Sequence, residues 1–299
     1  MKLIHLPEAR PVPRRVAIGT FDGVHVGHRK VIGDSDAVLT FEPHPATIVA
    51  PGRVPKLLTP LAVKAELVGG LGVGEMIVID FDEQFAARTA RSFVDEILVG
   101  QLGVTHVAIG ENFRFGHRAQ GDAELLVGDR RFETRVEPLL EVDEEVVSSS
   151  HIRGLILAGE VAAAARFLGA PFEYRGEVVS GDRRGRELGF PTANLVPDPA
   201  LVCPGHGVYA CLADGRPAAV SIGVRPTFET GRGELIEAYV LDFSGDLYGQ
   251  VMRLRFLERL RGERRFDSVD ALVEQIHDDV ARTREICDRA AVGPRGLIP

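Results

Sequence analysis

Residues 18–30 read IGTFDGVHVGHRK. Gly19, Gly23 and Gly27 strip side chains from three points of this run, and His25 and His28 stand three residues apart within it. Glycine loses more conformational freedom on folding than any other residue, so this density implies a sharp turn or a ligand brought close to the backbone. The apolar VAIGTF (16–21) reads as a strand buried on both faces, and Val31 and Ile32 follow the histidines at helical spacing. Strand, glycine-rich turn and helix in that order put the turn at the carboxyl end of a parallel sheet, where open α/β folds bind ligands.

Working outward, AVLTF (37–41), MIVIDF (76–81) and HVAIG (106–110) repeat the buried-strand pattern. Between them, TPLAVKAELV offers Thr59 as an N-cap with Pro60 at the first helical position, and TARSFVDEIL sets Phe93, Val94, Ile97 and Leu98 on one helical face. The alternation predicts an α/β sheet with right-handed crossovers. Only RKVIGDSD separates His28 from Ala37. A parallel crossover needs about a dozen residues or more, so the turn itself must supply part of the length and the helix after His28 is cut to one or two turns.

From Ser150 to Leu168 the pattern is helical, and GAPFEYRGE then breaks it, which places a domain boundary near residue 170. Beyond it, YRGEVV, GVYACLA, AAVSIGV, LIEAYVLDF and QVMRLRFL are short β-rich runs at the spacing of a small antiparallel barrel or sandwich. A closing helix starts after Ser268 as N-cap, with Val269, Leu272, Val273, Ile276 and Val280 as its apolar stripe. The expected domains are residues 1–170 and 171–299.

A net charge of -8 argues against nucleic acid or an anionic membrane as a bulk electrostatic partner, while leaving room for local basic pockets around Arg114, Arg118, Arg183, Arg184 and Arg186. The N-terminal run lacks an apolar signal core and no stretch is long enough to span a bilayer, so a cytoplasmic location is expected. Cys203, Cys211 and Cys287 have no paired spacing and read as buried thiols. Lys2, Lys30, Lys56 and Lys64 are the whole complement of lysine, all in the first quarter, so phosphate chemistry further along must use arginine, backbone amides or metal. Composition leaves the oligomeric state open.

A helix N-terminus offers N–H groups to phosphate, and imidazoles at His25 and His28 add donors to the same oxygens, an arrangement suited to a triphosphate. The pair could also bind metal, though no third ligand is spaced to help, or be part of a purely structural turn. His44, between two prolines, serves equally as a rigid turn or a ligand contact. His117 and Arg118 fit a solvated loop.

The second information-rich run is GDRRGRELGFPTANL (181–195). Gly181, Gly185 and Gly189 suggest a flap, while Thr192 and Asn194, two apart on an extended segment, present a hydroxyl and an amide oxygen to one face. Oxygen donors of that kind suit Mg²⁺ and nucleotide phosphate. Glu237 reads either as an outward strand residue or as a base, with Ile236 and Ala238 on the opposite face.

Four strings in this order, IGTFDGVHVGHRK, LTFEPHP (39–45), GENFRFGHRAQGD (110–122) and SSSHIR (148–153), resemble the HxGH nucleotidyltransferases, and among them the FMN adenylyltransferase half of the bacterial bifunctional riboflavin kinase/FAD synthetase family. GFPTANL, GVYA, SIGVRPTF, IEAYVLDF, DLYG and LRGERRFDSVDALVEQIHDD resemble its riboflavin kinase half, so the likeness spans almost the full chain.

The resemblance implies a Rossmann-like α/β nucleotidyltransferase domain followed by a small antiparallel β-barrel kinase domain with a C-terminal helix. It implies ATP, riboflavin, FMN and FAD as substrates and products, with Mg²⁺ at both sites. His25 and His28 would steady the phosphates and the pyrophosphate leaving group without a covalent intermediate. Gly19, Phe21, Asp22, Gly27, Asn112, Ser149, Ser150 and Arg153 would hold nucleotide or flavin phosphates; the family usually has threonine where Ser150 stands.

In the other half Gly181, Thr192 and Asn194 would bind nucleotide, Thr192 and Asn194 the metal as well, and Glu237 would be the general base. Phe113, Phe115 and Arg114 are candidates for contacts to the isoalloxazine ring. Two other readings stand beside this one: a kinase with an inactive, shortened first domain, and a non-catalytic flavin- or nucleotide-binding regulator. His25 and His28 speak against the former, and Thr192, Asn194 and Glu237 against the latter.

Overall fold

The structure, a computed structural model, describes residues 1–180, 190–227 and 231–292. The chain divides into two compact units, Met1–Ser149 and Ser150–Pro299.

In the first unit, β1 (Lys2–His5), β2 (Arg14–Ile18), β3 (Ala37–Glu42), β4 (Glu75–Asp80), β5 (Val104–Gly110) and β6 (Glu133–Glu137) form one sheet in the order β1-β4-β3-β2-β5-β6. Every pairing in it is parallel. The four apolar runs are its centre, while the short and half-exposed β1 and β6 complete the edges. VAIGTF is corrected at its end: the strand stops at Ile18 and Gly19–Phe21 already belong to the loop. Strand order reverses direction between β2 and β5, so the loop after β2 opens at the topological switch point.

Both sheet faces are covered. On one, Val16, Ile18, Leu39, Ile77 and Ile109 pack with Phe93, Val94, Ile97 and Leu98, the residues expected on one helical face; their segment is a helical turn, Ala90–Ser92, running into a π-helix, Phe93–Gln101. On the other, Ala17, Val38, Met76 and Val78 pack under α1 (Val26–Ile32) and α2 (Leu61–Gly70). The crossover helix α1 has seven residues, two turns, and buries Val31 and Ile32. The loop makes good the missing cover: Phe21 and Val24, each 1% exposed, join the same cluster. Both adopt positive φ, 48° and 43°, a region that costs a non-glycine residue about 1–3 kcal/mol.

The second unit begins with helices α3 (Ser149–Leu157, from its second residue) and α4 (Val161–Leu168), the latter ended by Gly169 at φ 74. After a two-stranded hairpin in the first unit, β7 (Glu141–Val142) with β8 (Glu145–Val146), the remaining strands are β9 (Phe172–Val179), β10 (Ala193–Leu195), β11 (Gly207–Ala213), β12 (Arg216–Thr227), β13 (Gly231–Val240) and β14 (Val251–Arg261). They close a barrel in the order β10-β13-β12-β11-β14-β9, antiparallel throughout. Register aligns Tyr209, Val220 and Ala238 on one face, all fully buried, and Val208, Ser221, Glu237 and Asn194 on the other. Cys203, Cys211 and Cys287 are free and buried.

Helix α5 (Val269–Val292) starts where Ser268 Oγ accepts the Ala271 N–H. Its expected stripe needs correction. Leu272, Val273, Ile276 and Val280 are half-buried, but Val269 is 60% exposed, and the buried positions are Asp279, Thr283, Ile286 and Cys287. The physical reason is a buried ion pair: the Asp279 carboxylate accepts Arg261 Nε at 3.0 Å and Nη2 at 2.8 Å, pinning the middle of the helix to β14. Ile286 then packs on Val208, Ala210 and Leu260. No helix among the described residues is long and apolar enough to cross a membrane.

Breaking one partner of such a pair strands a buried charge. Asp279→Ala is therefore expected to cost the second unit about 3–5 kcal/mol, read by urea unfolding of the full chain. The double change Arg261→Met, Asp279→Leu is expected to recover most of that loss.

Candidate active site

The first site is built on the loop between β2 and α1. His25 is the N-cap of α1, and its Nδ1 accepts the backbone N–H of His28 at 3.1 Å. That bond fixes the tautomer: the ring proton sits on Nε2, which faces away as a donor. The His28 ring stacks on the His25 ring, centroids 3.5 Å apart and planes 15° from parallel, and Phe21 meets His28 edge-on at 5.3 Å. Gly27 makes room for the stack, since a Cβ there would stand 3.3 Å from the His25 ring. Gly19 does the same for Phe21, at 3.0 Å.

Both imidazoles are neutral at neutral pH. Burial lowers His25 from 6.5 to about 4, opposed by a hydrogen bond of the ring with its own backbone and helped a little by the Arg29 charge. His28 lies well below its ordinary value, again mainly through burial and then through the charges of His25 and Lys64. The donors waiting here are thus neutral N–H groups rather than imidazolium ions.

Asp22 anchors the loop. Its carboxylate, 2% exposed, accepts the Leu58 N–H at 2.9 Å and the Thr59 N–H at 3.0 Å. Thr59 Oγ1 in turn accepts the Gly23 N–H at 3.0 Å. The expectation of Thr59 as an N-cap is therefore overturned: α2 begins behind Pro60 with no side-chain cap, because the hydroxyl is engaged by the histidine loop. Ser149 Oγ donates to the Asp22 carbonyl at 2.9 Å. Ser150, exposed, and Arg153, half-buried, follow on α3 in the second unit.

Asn112 stands exposed just past β5, the strand beside β2 across the switch point. Next to it, Phe113 is half-buried and stacks on Phe115 at 5.5 Å, while Arg114 is exposed and bonds the Phe113 carbonyl. Phe115 itself is a core residue, 7% exposed. A chain of rings extends from it through Phe93 and Phe85 to Phe81 and Phe41, with successive centroids 5.4–6.2 Å apart. Phe81 and Phe85, half-buried at the carboxyl edge of β4, are aromatic candidates that no motif announced. His44 caps its own turn, its Nδ1 accepting the Ala46 N–H at 3.2 Å.

The second site lies on the outer face of the barrel. Asn194 and Glu237 are directly opposed across β10 and β13, and Ser221 opposes Glu237 from β12. Asn194 is 5% exposed and its Oδ1 has no hydrogen-bond partner among the described residues. Thr192 precedes it by two residues and is half-buried. Phe190 packs edge-on against Tyr239 at 5.3 Å and His277 of α5 at 5.2 Å, bringing the final helix to this face. Gly181, Gly185 and Gly189, with Arg183, Arg184 and Arg186, lie outside the described residues.

Folding links the first site to pH. An unfolded histidine takes up its proton near pH 6.5, whereas His25 resists protonation down to about 4. Stability is thus complete above the unfolded value and is lost as pH falls through this window. From about pH 7 to about pH 5 the first unit is expected to lose about 2 kcal/mol through His25 alone. His25→Asn keeps a capping side chain and removes the titration, so its thermal transition should depend less steeply on pH.

A FAD synthetase model matches residues 8–151 and a riboflavin kinase model residues 168–287. The bifunctional riboflavin kinase/FMN adenylyltransferase of Bacillus subtilis is 36% identical over 92% of this chain and 93% of its own, and that of Escherichia coli K12 is 36% identical over 90% and 91%. A crystal structure from Streptococcus pneumoniae, described as a macrolide-efflux protein, superposes with a TM-score of 0.87 at 30% identity, covering 95% of this chain and 99% of that one. With both family models side by side and relatives alike across both units, the chain belongs to the bifunctional riboflavin kinase/FMN adenylyltransferase family.

Proposed function

We propose that the two reactions of this family, phosphorylation of riboflavin to FMN and adenylylation of FMN to FAD, are carried by separate sets of residues, one in each compact unit. What supports this division is that the stacked histidines lie in one unit and the opposed Asn194 and Glu237 in the other.

In the first unit, a phosphate oxygen of FMN attacks the α-phosphorus of ATP and the bond to the β-phosphate oxygen breaks, releasing pyrophosphate. Nε2–H of His25 and the ring of His28 meet the oxygens that gain charge. Neutral donors fixed in place need no reorganisation as that charge develops. Gly19, Gly27 and the Asp22 clasp shape the loop around the phosphates, and Asn112 and Ser149 complete the phosphate contacts within this unit. Phe113, with Phe81 and Phe85, offers aromatic surface to the isoalloxazine ring, and Arg114 its charge. The short α1 does not preclude activity, since Phe21 and Val24 keep the sheet covered.

In the second unit, Glu237 takes the proton of the ribityl 5′-hydroxyl as that oxygen bonds to the γ-phosphorus of ATP and ADP departs. Thr192 and Asn194 fit Mg²⁺: the orphaned, buried Asn194 Oδ1 is an oxygen acceptor in need of a partner, and Mg²⁺ is usually held by few protein oxygens together with phosphates and water. Bound there, Mg²⁺ neutralises phosphate charge. The opposed Asn194 and Glu237 then set nucleotide and base on adjacent strands of one rigid face.

Glu237→Gln is expected to lower FMN formation about 100-fold or more while leaving FMN-to-FAD conversion near wild type. His28→Ala is expected to lower FAD formation about 100-fold while sparing riboflavin phosphorylation. Separation of flavins after incubation with ATP, Mg²⁺ and either riboflavin or FMN reads both; equal loss of the two steps in either variant contradicts separate sites.

A further inference from the structure

We propose that Lys64 is a substrate-binding residue of the adenylyltransferase centre, its ammonium taking the phosphate chain of the nucleotide beside His28. The inference deepens the reading of the histidine loop as the phosphate site and rests on it.

Two cations are deeply buried in the first unit, and they differ in kind. Arg14, 7% exposed at the start of β2, donates to Glu75 at 3.0 Å and to the Arg10 and Leu102 carbonyls, an arginine consumed by structure. Lys64, 5% exposed, sits in the first turns of α2 at the ligand end of the sheet. The segment that leads into α2 is the one clasped to the histidine loop through Asp22, Leu58, Thr59 and Gly23. Leu61 and Ala65, on either side of Lys64 along α2, pack into the cluster that holds Phe21 and Val24. Lys64 is thereby held close to the loop by both hydrogen bonds and packing.

Its charged surroundings are Asp22 on the loop, Glu42 at the end of β3, and His28 on α1. Burial lowers the ammonium pKa, and Asp22 and then Glu42 act to raise it. Asp22 does not need a lysine to be satisfied, because two backbone N–H groups already bond it. Burying an ammonium is costly and an apolar side chain of similar volume would serve packing as well or better. A buried cation with no side-chain hydrogen bond or ion pair among the described residues, set near the histidine loop, has charge to offer a polyanionic substrate. The stacked histidines are neutral. Arg29, the cation acting on His25, is half-buried and donates from Nε to the Val24 carbonyl.

The test uses the full chain, so that riboflavin phosphorylation by the second unit reports on the integrity of each preparation. FAD formation from FMN and ATP is measured with its reverse, FAD plus pyrophosphate, in Lys64→Met, Lys64→Gln, Lys64→Arg and His28→Ala. Lys64→Met is expected to lower kcat for FAD formation about 100-fold and raise the KM for pyrophosphate about tenfold, with the KM for FMN changed less than about threefold. Lys64→Arg, which keeps the charge, is expected to recover most of the pyrophosphate KM.

FAD formation within about threefold of wild type in Lys64→Met overturns the proposal, as does an equal rise in the KM for FMN and pyrophosphate. If Lys64→Met loses the first thermal transition, Lys64→Gln is judged by the same criterion. If both neutral variants unfold the unit, Lys64 is a structural counter-charge and the proposal falls. His28→Ala separates the two levels: activity retained there sinks the phosphate-site reading itself, whereas loss there with Lys64→Met active sinks the lysine alone.

Discussion

The adenylyltransferase half depends on one buried carboxylate. Asp22 reaches from the histidine loop to the backbone amides of Leu58 and Thr59 and so ties together segments 36 residues apart in sequence. Accepting several backbone N–H groups is the environment that best stabilises an ionised carboxylate out of water. The clasp offsets an unfavourable local geometry, in which Phe21 and Val24 take backbone angles that L-residues avoid. Without an anchor, that loop would relax and both histidines would move with it. With it, the His25 cap, the ring stack and the covered sheet follow together.

The two proposed sites are built in different ways. In the first, the histidines are buried, neutral and pre-set, and Lys64 lies in the neighbouring helix. In the second, the groups lie on the outside of a closed barrel, where strand register aligns Ser221, Glu237 and Asn194 in one row. A barrel's register cannot slip by one residue without exchanging its inside for its outside. Ile236 and Ala238, fully buried on either side of Glu237, therefore fix the direction of its side chain as firmly as any hydrogen bond. The Arg261–Asp279 pair then sets α5 against the same barrel, and His277 meets Phe190 at the site.

What the sequence disclosed and what it hid divide along local and non-local chemistry. That His25 and His28 share one turn and that Glu237 faces away from Ile236 and Ala238 was legible from spacing along a few residues, whereas the roles expected of them, and of Thr192 and Asn194, came from the family resemblance. The central strands were legible because burial on both faces leaves an unbroken apolar run. The edge strands were not: Lys2–His5 has a single fully buried residue, so its pattern is weak. Thr59 looked like a cap because it precedes a proline at a helix start, and nothing near it in sequence announced Gly23 as its partner. The stripe on α5 was misplaced at Val269 because periodicity counts apolar residues, whereas the helix is pinned by Asp279. Lys64 carried only a faint sign, the scarcity of lysine.

The crossover after β2 is short, and the loop beside it supplies the cover that a longer helix would give. A seven-residue helix offers little apolar surface and few turns with which to hold a loop. Here the loop itself became the cover, with Phe21 and Val24 turned inward at positive φ, while the second helix, through Thr59 and Asp22, took over the holding. The strained angles and the buried carboxylate are thus two sides of one arrangement: each is costly alone, and together they hold the His25 cap and the ring stack in place. On this account the stability of the first unit and the geometry of the histidine loop are coupled through Asp22, so a change that relaxes one disturbs the other.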